Sequence, residues 1–275
     1  MADQRDAAAY PRSARATGAA PPGWRLPVLR MGASNLVVSA LVVAGGYLAG
    51  KVQLDFWTAA FAMQFVTPQV ARLPEFRLRA DHFVERHGLI MIIVFGESVI
   101  AVGVGAGTAE LGPALIAVAL LSLTVCVGLW WAYFGHDDDA RAEHHMAALP
   151  SAERNRAAVT VYYLGHFGLL LGVLLFAAGV KSAVAHPDAA ITLPQALALA
   201  GGITLYLVVN TAVRRFFGLR PHLPRLIGAA AVLATVPLGT AASALDQVGA
   251  VAAVLAAVFG YESACRRPVG DFGHD

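Results

Sequence analysis

Two long runs of this chain, Leu111 to Gly135 and Leu226 to Leu245, contain no charged residue. Apolar runs of roughly 20 residues match the hydrocarbon thickness of a bilayer when wound as a helix. Backbone buried in lipid must satisfy its own hydrogen bonds, and a helix does so within one segment. The chain is therefore expected to be an all-α, polytopic transmembrane bundle. Its composition agrees: 57% of residues are hydrophobic and 14% charged, against about a quarter charged in soluble domains. A net charge of +2 without a basic, aromatic-interleaved cluster argues against a nucleic-acid partner. Cys126 and Cys265 fall mid-helix and at a helix end, too far apart in depth to bridge. No nucleotide-binding or hydrolase motif appears, so no cofactor is expected.

Eight spans are expected, over 31–50, 54–71, 84–106, 112–134, 157–180, 195–213, 225–245 and 247–265. The second is the weakest, interrupted by Gln64 and Pro68, and the last two should form a hairpin turning at Asp246. Residues 1–30, rich in Ala, Arg and Pro, read as a disordered tail and not as a signal peptide. Residues 31–265 form the membrane domain and 266–275 a short C-terminal tail. Numbering the loops alternately puts eighteen of the twenty Lys and Arg residues on one side, leaving only Lys51 and Lys181 on the other. Basic residues mark the cytoplasmic face, so both termini are expected there, in the plasma membrane.

The stretch from His82 to Gly103, HFVERHGLIMIIVFGESVIAVG, raises the functional question. His82, Glu85 and Arg86 form a charged cytoplasmic entrance, although helix ends commonly carry such charges. Glu97 lies twelve residues past Glu85, about 18 Å deeper at 1.5 Å per residue. An acid near the bilayer midplane costs about 3 kcal/mol and usually faces a bundle interior. Glu97, Ala101 and Gly105 recur every four residues, so this face is expected to meet protein, with Ser98 beside it.

Partners for Glu97 are sought in the fifth span. His166 follows Arg156 by ten residues, about 15 Å in, at nearly the depth of Glu97. Tyr162 and Tyr163 precede it by four and three residues and share its side of a helix. A Glu/His pair in hydrocarbon can hold or pass a proton; a neutral His bonded to a carbonyl is the plain alternative. Tyr206 and Asn210 in the sixth span add polar groups that line the same cavity or bond across helices. Glu262 is read as an interfacial pair with Arg266 and Arg267, and Lys51 and Asp55 as surface charges. Asp137 to Asp139, His144 and His145 are read as a solvated loop rather than a metal site, since adjacent histidines lack helical ligand spacing.

These residues carry a resemblance. His82, Glu85, Arg86, Gly88, Leu89, Gly96, Glu97 and Ser98 form an H-x-x-E-R-x-G-L…G-E-S pattern that resembles the most distinctive segment of the bacterial low temperature requirement protein A family. WWAYFG at 130–135 and YYLGHFGLLLGVLLFAAGVKSAVAHP at 162–187 look like later segments of it. The resemblance runs over 31–265 and implies a polytopic membrane protein. It departs at the start, where the family's E-L-F-F-D-L-type segment is absent and about four helices are expected to be missing. The family name records a growth phenotype and implies no chemistry.

Three functions stay open on these residues. One is proton- or cation-linked transport through Glu97 and His166, with Ser98, Tyr163 and Asn210 lining the site. The second is a membrane-embedded enzyme acting on a lipophilic substrate. The third is a non-catalytic helper, as a homo-oligomer or beside a partner membrane subunit.

Overall fold

The structure is a computed structural model and describes residues 25–70, 80–107, 111–135 and 138–265. Every regular element among them is helical: α1 (Arg25–Gly46), α2 (Gly50–Val70), α3 (Ala80–Ala106), α4 (Pro113–Phe134), α5 (Asp138–Ala148), α6 (Ser151–Ala157), a π-helical stretch (Ala158–Gly165), α7 (His166–Ala185), α8 (Leu193–Phe216), α9 (Leu223–Leu233), α10 (Val236–Ala241) and α11 (Ala244–Cys265). Most of the expected tail and the C-terminal tail lie outside the described residues. Helix α1 begins at Arg25, six residues before the expected start.

Among the described residues, seven segments are long and apolar enough to cross a membrane. The expected second span does form a helix, α2, but Lys51, Gln53, Asp55 and Gln64 leave it short of that apolarity. The chain divides into two units, Met1–Phe76 and Arg77–Asp275. In the first, α1 and α2 pair as a hairpin. Ser34 Oγ meets Thr67 Oγ1 at 2.6 Å, and Trp57 Nε1 donates to Val42 O at 3.2 Å.

The second unit is organised on α7 and α8. Their antiparallel contact is a glycine seam. A Cβ built on Gly179 would lie 2.6 Å from the Leu199 backbone, on Gly172 2.7 Å from Gly202 O, on Gly168 2.9 Å from Val209 and on Gly165 3.0 Å from Val213. The four glycines are three, four and seven residues apart, which keeps them on one helical face. Small residues let helix backbones approach closely where lipid gives no hydrophobic drive to associate. Helix α3 docks on α7 the same way, with Gly105 against Lys181 O.

Helices α4, α9 and α11 complete the unit around a core that includes Phe95, Leu129, Val173, Phe176, Ile203, Tyr206, Val251 and Leu255. Proline opens α4, α8, α9 and α10 in the first turn, where its missing N–H costs nothing. The span Leu223–Ala241 is broken at Ala234–Thr235. Pro237 cannot donate, and its ring would strike the carbonyl of Leu233 four residues back. The last hairpin turns at Ala242–Ser243, earlier than expected; Ser243 Oγ accepts from Asp246 N at 3.1 Å, so Asp246 belongs to the first turn of α11.

Candidate functional site

Buried His166, Asn210, Arg214, Arg225 and Glu262 gather at the arginine-rich end of the second unit, where α3, α7 and α9 begin and α4, α8 and α11 finish. At the junction of the π-helical stretch and α7, the Val161 carbonyl accepts the backbone N–H of His166. His166 Nδ1 lies 3.3 Å from the same oxygen. A carbonyl only accepts, so Nδ1 carries the proton and Nε2 is the bare nitrogen. Tyr133, next to last in α4, donates its hydroxyl to Nε2 at 2.7 Å. Tyr162 stacks on the imidazole at 5.1 Å, and His87 of α3 meets it edge-on at 4.8 Å. His166 is buried.

A second buried cluster lies alongside. Arg225, in the first turn of α9, forks onto Glu262 of α11 with Nε and Nη2 each 2.8 Å from a carboxylate oxygen. Nη1 donates to Ala132 O at 3.3 Å and to Asn210 Oδ1. Phe259 covers the guanidinium at 5.7 Å. Both ions are fully buried, with 0% and 1% of their side chains exposed. Ala132 offers one of the carbonyls a helix end leaves without an internal partner, so Arg225 also closes α4. Tyr206 binds the same helix through Leu129 O at 2.8 Å.

Between the clusters is a cavity of about 30 Å³ lined by Tyr133, His166, Asn210, Arg214 and Phe217, among others. A space this size holds at least one water, and these polar groups supply the partners it needs. His222 lies outside the spans just before α9. Burial, then the guanidiniums of Arg215, Arg220, Arg214 and Arg225, hold its pKa below the usual imidazole range. A depressed histidine is neutral in the fold while the unfolded chain still protonates normally. Stability is therefore expected to fall as pH drops below that range. Unfolding in detergent between neutral and mildly acidic pH checks this, with a shallower slope expected for His222→Gln.

The sequence expectations meet this geometry unevenly. His166 and Asn210 both line the cavity. Tyr163 is half-buried and outside its lining; the wider π turn brings Tyr162, not Tyr163, over the imidazole. Glu97 does not pair with His166. His166 lies level with His87, and Glu97 follows His87 by ten residues, about 15 Å further along α3. Nor does Glu97 face the bundle: it is exposed, between Ile93 and Ile100 on the outer side of α3. A row of every-fourth residues drifts by about 40° per step, so Gly105 meets α7 while Glu97, two steps back, has rotated away. Ser98 is buried, and its hydroxyl has no hydrogen-bond partner among the described residues. Glu85 and Arg86 are exposed at the start of α3, and the side chain of His82 lies outside the described residues. Glu262 pairs with Arg225 inside the bundle; Arg266 and Arg267 lie outside the described residues. One signal for that pair was present: a cation in the first turn of a helix opposes the helix dipole, so Arg225 needed an acid of its own.

Among the described residues, then, the molecule is an all-helical polytopic membrane protein with a polar cluster sealed into one end of its bundle. A family model of the bacterial low temperature requirement A proteins (LtrA) matches residues 7–260. The chain belongs to that family. It is also similar to an uncharacterized protein of Rhizobium meliloti (strain 1021), with 26% identity over 206 residues, covering 70% of this chain and 49% of that protein. The chain thus spans about half the length of this curated relative. No solved structure matches.

Proposed function

We propose that this protein moves protons or cations across the plasma membrane, with His166 and Tyr133 as the proton-handling pair. The observation that carries the reading is the 2.7 Å Tyr133–His166 hydrogen bond at the edge of a water-sized cavity. A hydroxyl bonded to the bare nitrogen of an imidazole is placed to pass a proton to it. The one-sided arginine distribution supports a cytoplasmic position for this pair and for both termini. His87, in ring contact with His166, extends the relay toward the start of α3. Glu97 has a separate role in this reading, because it stands about 15 Å further along α3 on the outer face.

The test is ion flux into liposomes carrying a pH-sensitive dye under an imposed potential. Wild type is expected to conduct, His166→Gln to abolish the flux, Tyr133→Phe to slow it and Glu97→Gln to leave it unchanged. Wild-type protein that conducts nothing, or flux that survives His166→Gln, rules the reading out. A second reading, that of a helper subunit, is favoured by one observation: an acid exposed in mid-span stabilises a bundle only against another polar helix. Flux lost in Glu97→Gln together with loss of oligomer would support it.

A further inference from the structure

Away from the His166 cluster, a groove enclosing about 540 Å³ opens on the arginine-rich end, lined by His145, Leu149, Glu153, Arg156, Ala157, Thr160 and Phe216. Its volume is that of a small-molecule site, roughly 300–1,000 Å³. Its position is more telling than its size. Thr160 lies in the span Ala158–Ala185, and Phe216 is the last residue of the span Leu193–Phe216. Arg156 stands two residues before the first of these, on α6. The groove therefore straddles the boundary between hydrocarbon and headgroups. It has an apolar floor of Leu149, Ala157 and Phe216 under a polar rim of His145, Glu153, Arg156 and Thr160.

The rim is prebuilt. Arg154 donates from Nε to Met146 O at 3.0 Å and from Nη2 to Ala147 O at 3.1 Å and Leu149 O at 2.9 Å, locking the corner between α5 and α6. The His145 ring is held edge-on by Phe216 at 5.8 Å and Phe217 at 5.6 Å. Arg156 is exposed and makes no ion pair among the described residues.

We infer that this groove binds the headgroup of an anionic glycerophospholipid. Arg156 and Thr160 take the phosphate, with His145 beside them, because a guanidinium matches phosphate oxygens in charge and fork geometry. Glu153 accepts from headgroup hydroxyls. The first acyl carbons lie on Phe216 and Leu149. A free phosphate shares the first of these contacts and has no use for the floor.

The test uses the full chain in nanodiscs of phosphatidylcholine doped with phosphatidylglycerol, with protein-bound lipid read by native mass spectrometry. Phosphatidylglycerol is expected to be enriched over the bulk mixture. Arg156→Gln should cut that enrichment about fivefold, the worth of one basic side chain at a membrane surface. Thr160→Val, on the same helical wall as Arg156, should reduce it without removing charge. Arg141→Gln, an exposed arginine outside the groove, should leave it intact, and millimolar inorganic phosphate should not displace the lipid. Equal loss in Arg141→Gln and Arg156→Gln would reduce the effect to diffuse surface charge and overturn the assignment. Displacement by inorganic phosphate would overturn it in favour of a free anion. Enrichment unchanged in both Arg156→Gln and Thr160→Val would dismiss the groove altogether. Both variants alter exposed side chains, and unfolding temperatures matching wild type confirm that each retains the fold.

Discussion

Glu262→Ala is expected to destabilise the protein by about 3–5 kcal/mol, because it strands a fully buried guanidinium. Arg225 has no exposed surface, and Glu262 satisfies two of its donors. Asn210 and the Ala132 carbonyl remain as partners but carry no charge. Reversible unfolding in detergent reads the loss. The informative comparison is the double variant Arg225→Met/Glu262→Leu, which removes both ions and keeps the volume. It should recover most of the stability lost in either single variant, since a buried pair is worth little against a well-packed apolar replacement. A double variant as damaged as the singles would mean that the bonds to Asn210 and Ala132, not charge compensation, hold α9 against α4 and α8. Flux measured on the stable double variant would then separate a structural pair from one that ion movement requires.

Gly202→Ala and Gly201→Ala are expected to have opposite signs although the residues are neighbours. A Cβ at Gly202 would fall 2.5 Å from Phe176 N and 2.6 Å from Gly172 O, both backbone atoms that cannot swing aside. Overpacking of this kind costs about 1–3 kcal/mol, and Gly202→Val should cost more. At Gly201 nothing lies within 4 Å, so alanine gains helix propensity of up to about 1 kcal/mol without a clash. Thermal unfolding of the two variants side by side tests the seam. Destabilisation of similar size at both positions would show that glycine is required for something other than close approach of α7 and α8.

The membrane class and most spans were legible because lipid imposes a one-dimensional rule, length and apolarity, that needs no knowledge of neighbours. His166 and Asn210 were legible for a related reason: a polar side chain within an apolar run has few places to go. The orientation of Glu97 was not, because a row of small residues at every fourth position drifts round the helix, so Gly105 reports poorly on where Glu97 faces. The pairing of Glu262 with Arg225 was not legible because charges near span ends look alike in sequence whether they reach for water or for one another. Tyr133 was seen only as part of a motif. Its role follows from where α4 ends relative to the start of α7, which is a tertiary fact. The α2 segment shows the limit of the length rule, since a helix formed but its polar residues kept it below the apolarity of a span.

The π-helical stretch before His166 holds more residues per hydrogen-bonded turn than an α-helix does. That surplus makes the helix a ratchet with a spare tooth. Passing the extra residue along the stretch from Ala158 to Gly165 turns the intervening side chains by about 100° and advances them by about 1.5 Å, while the helix on either side stays seated. Val161 and Tyr162, which hold the imidazole by hydrogen bond and stacking, ride on the tooth, so a slip of winding would change the grip on His166 without tilting a whole transmembrane helix.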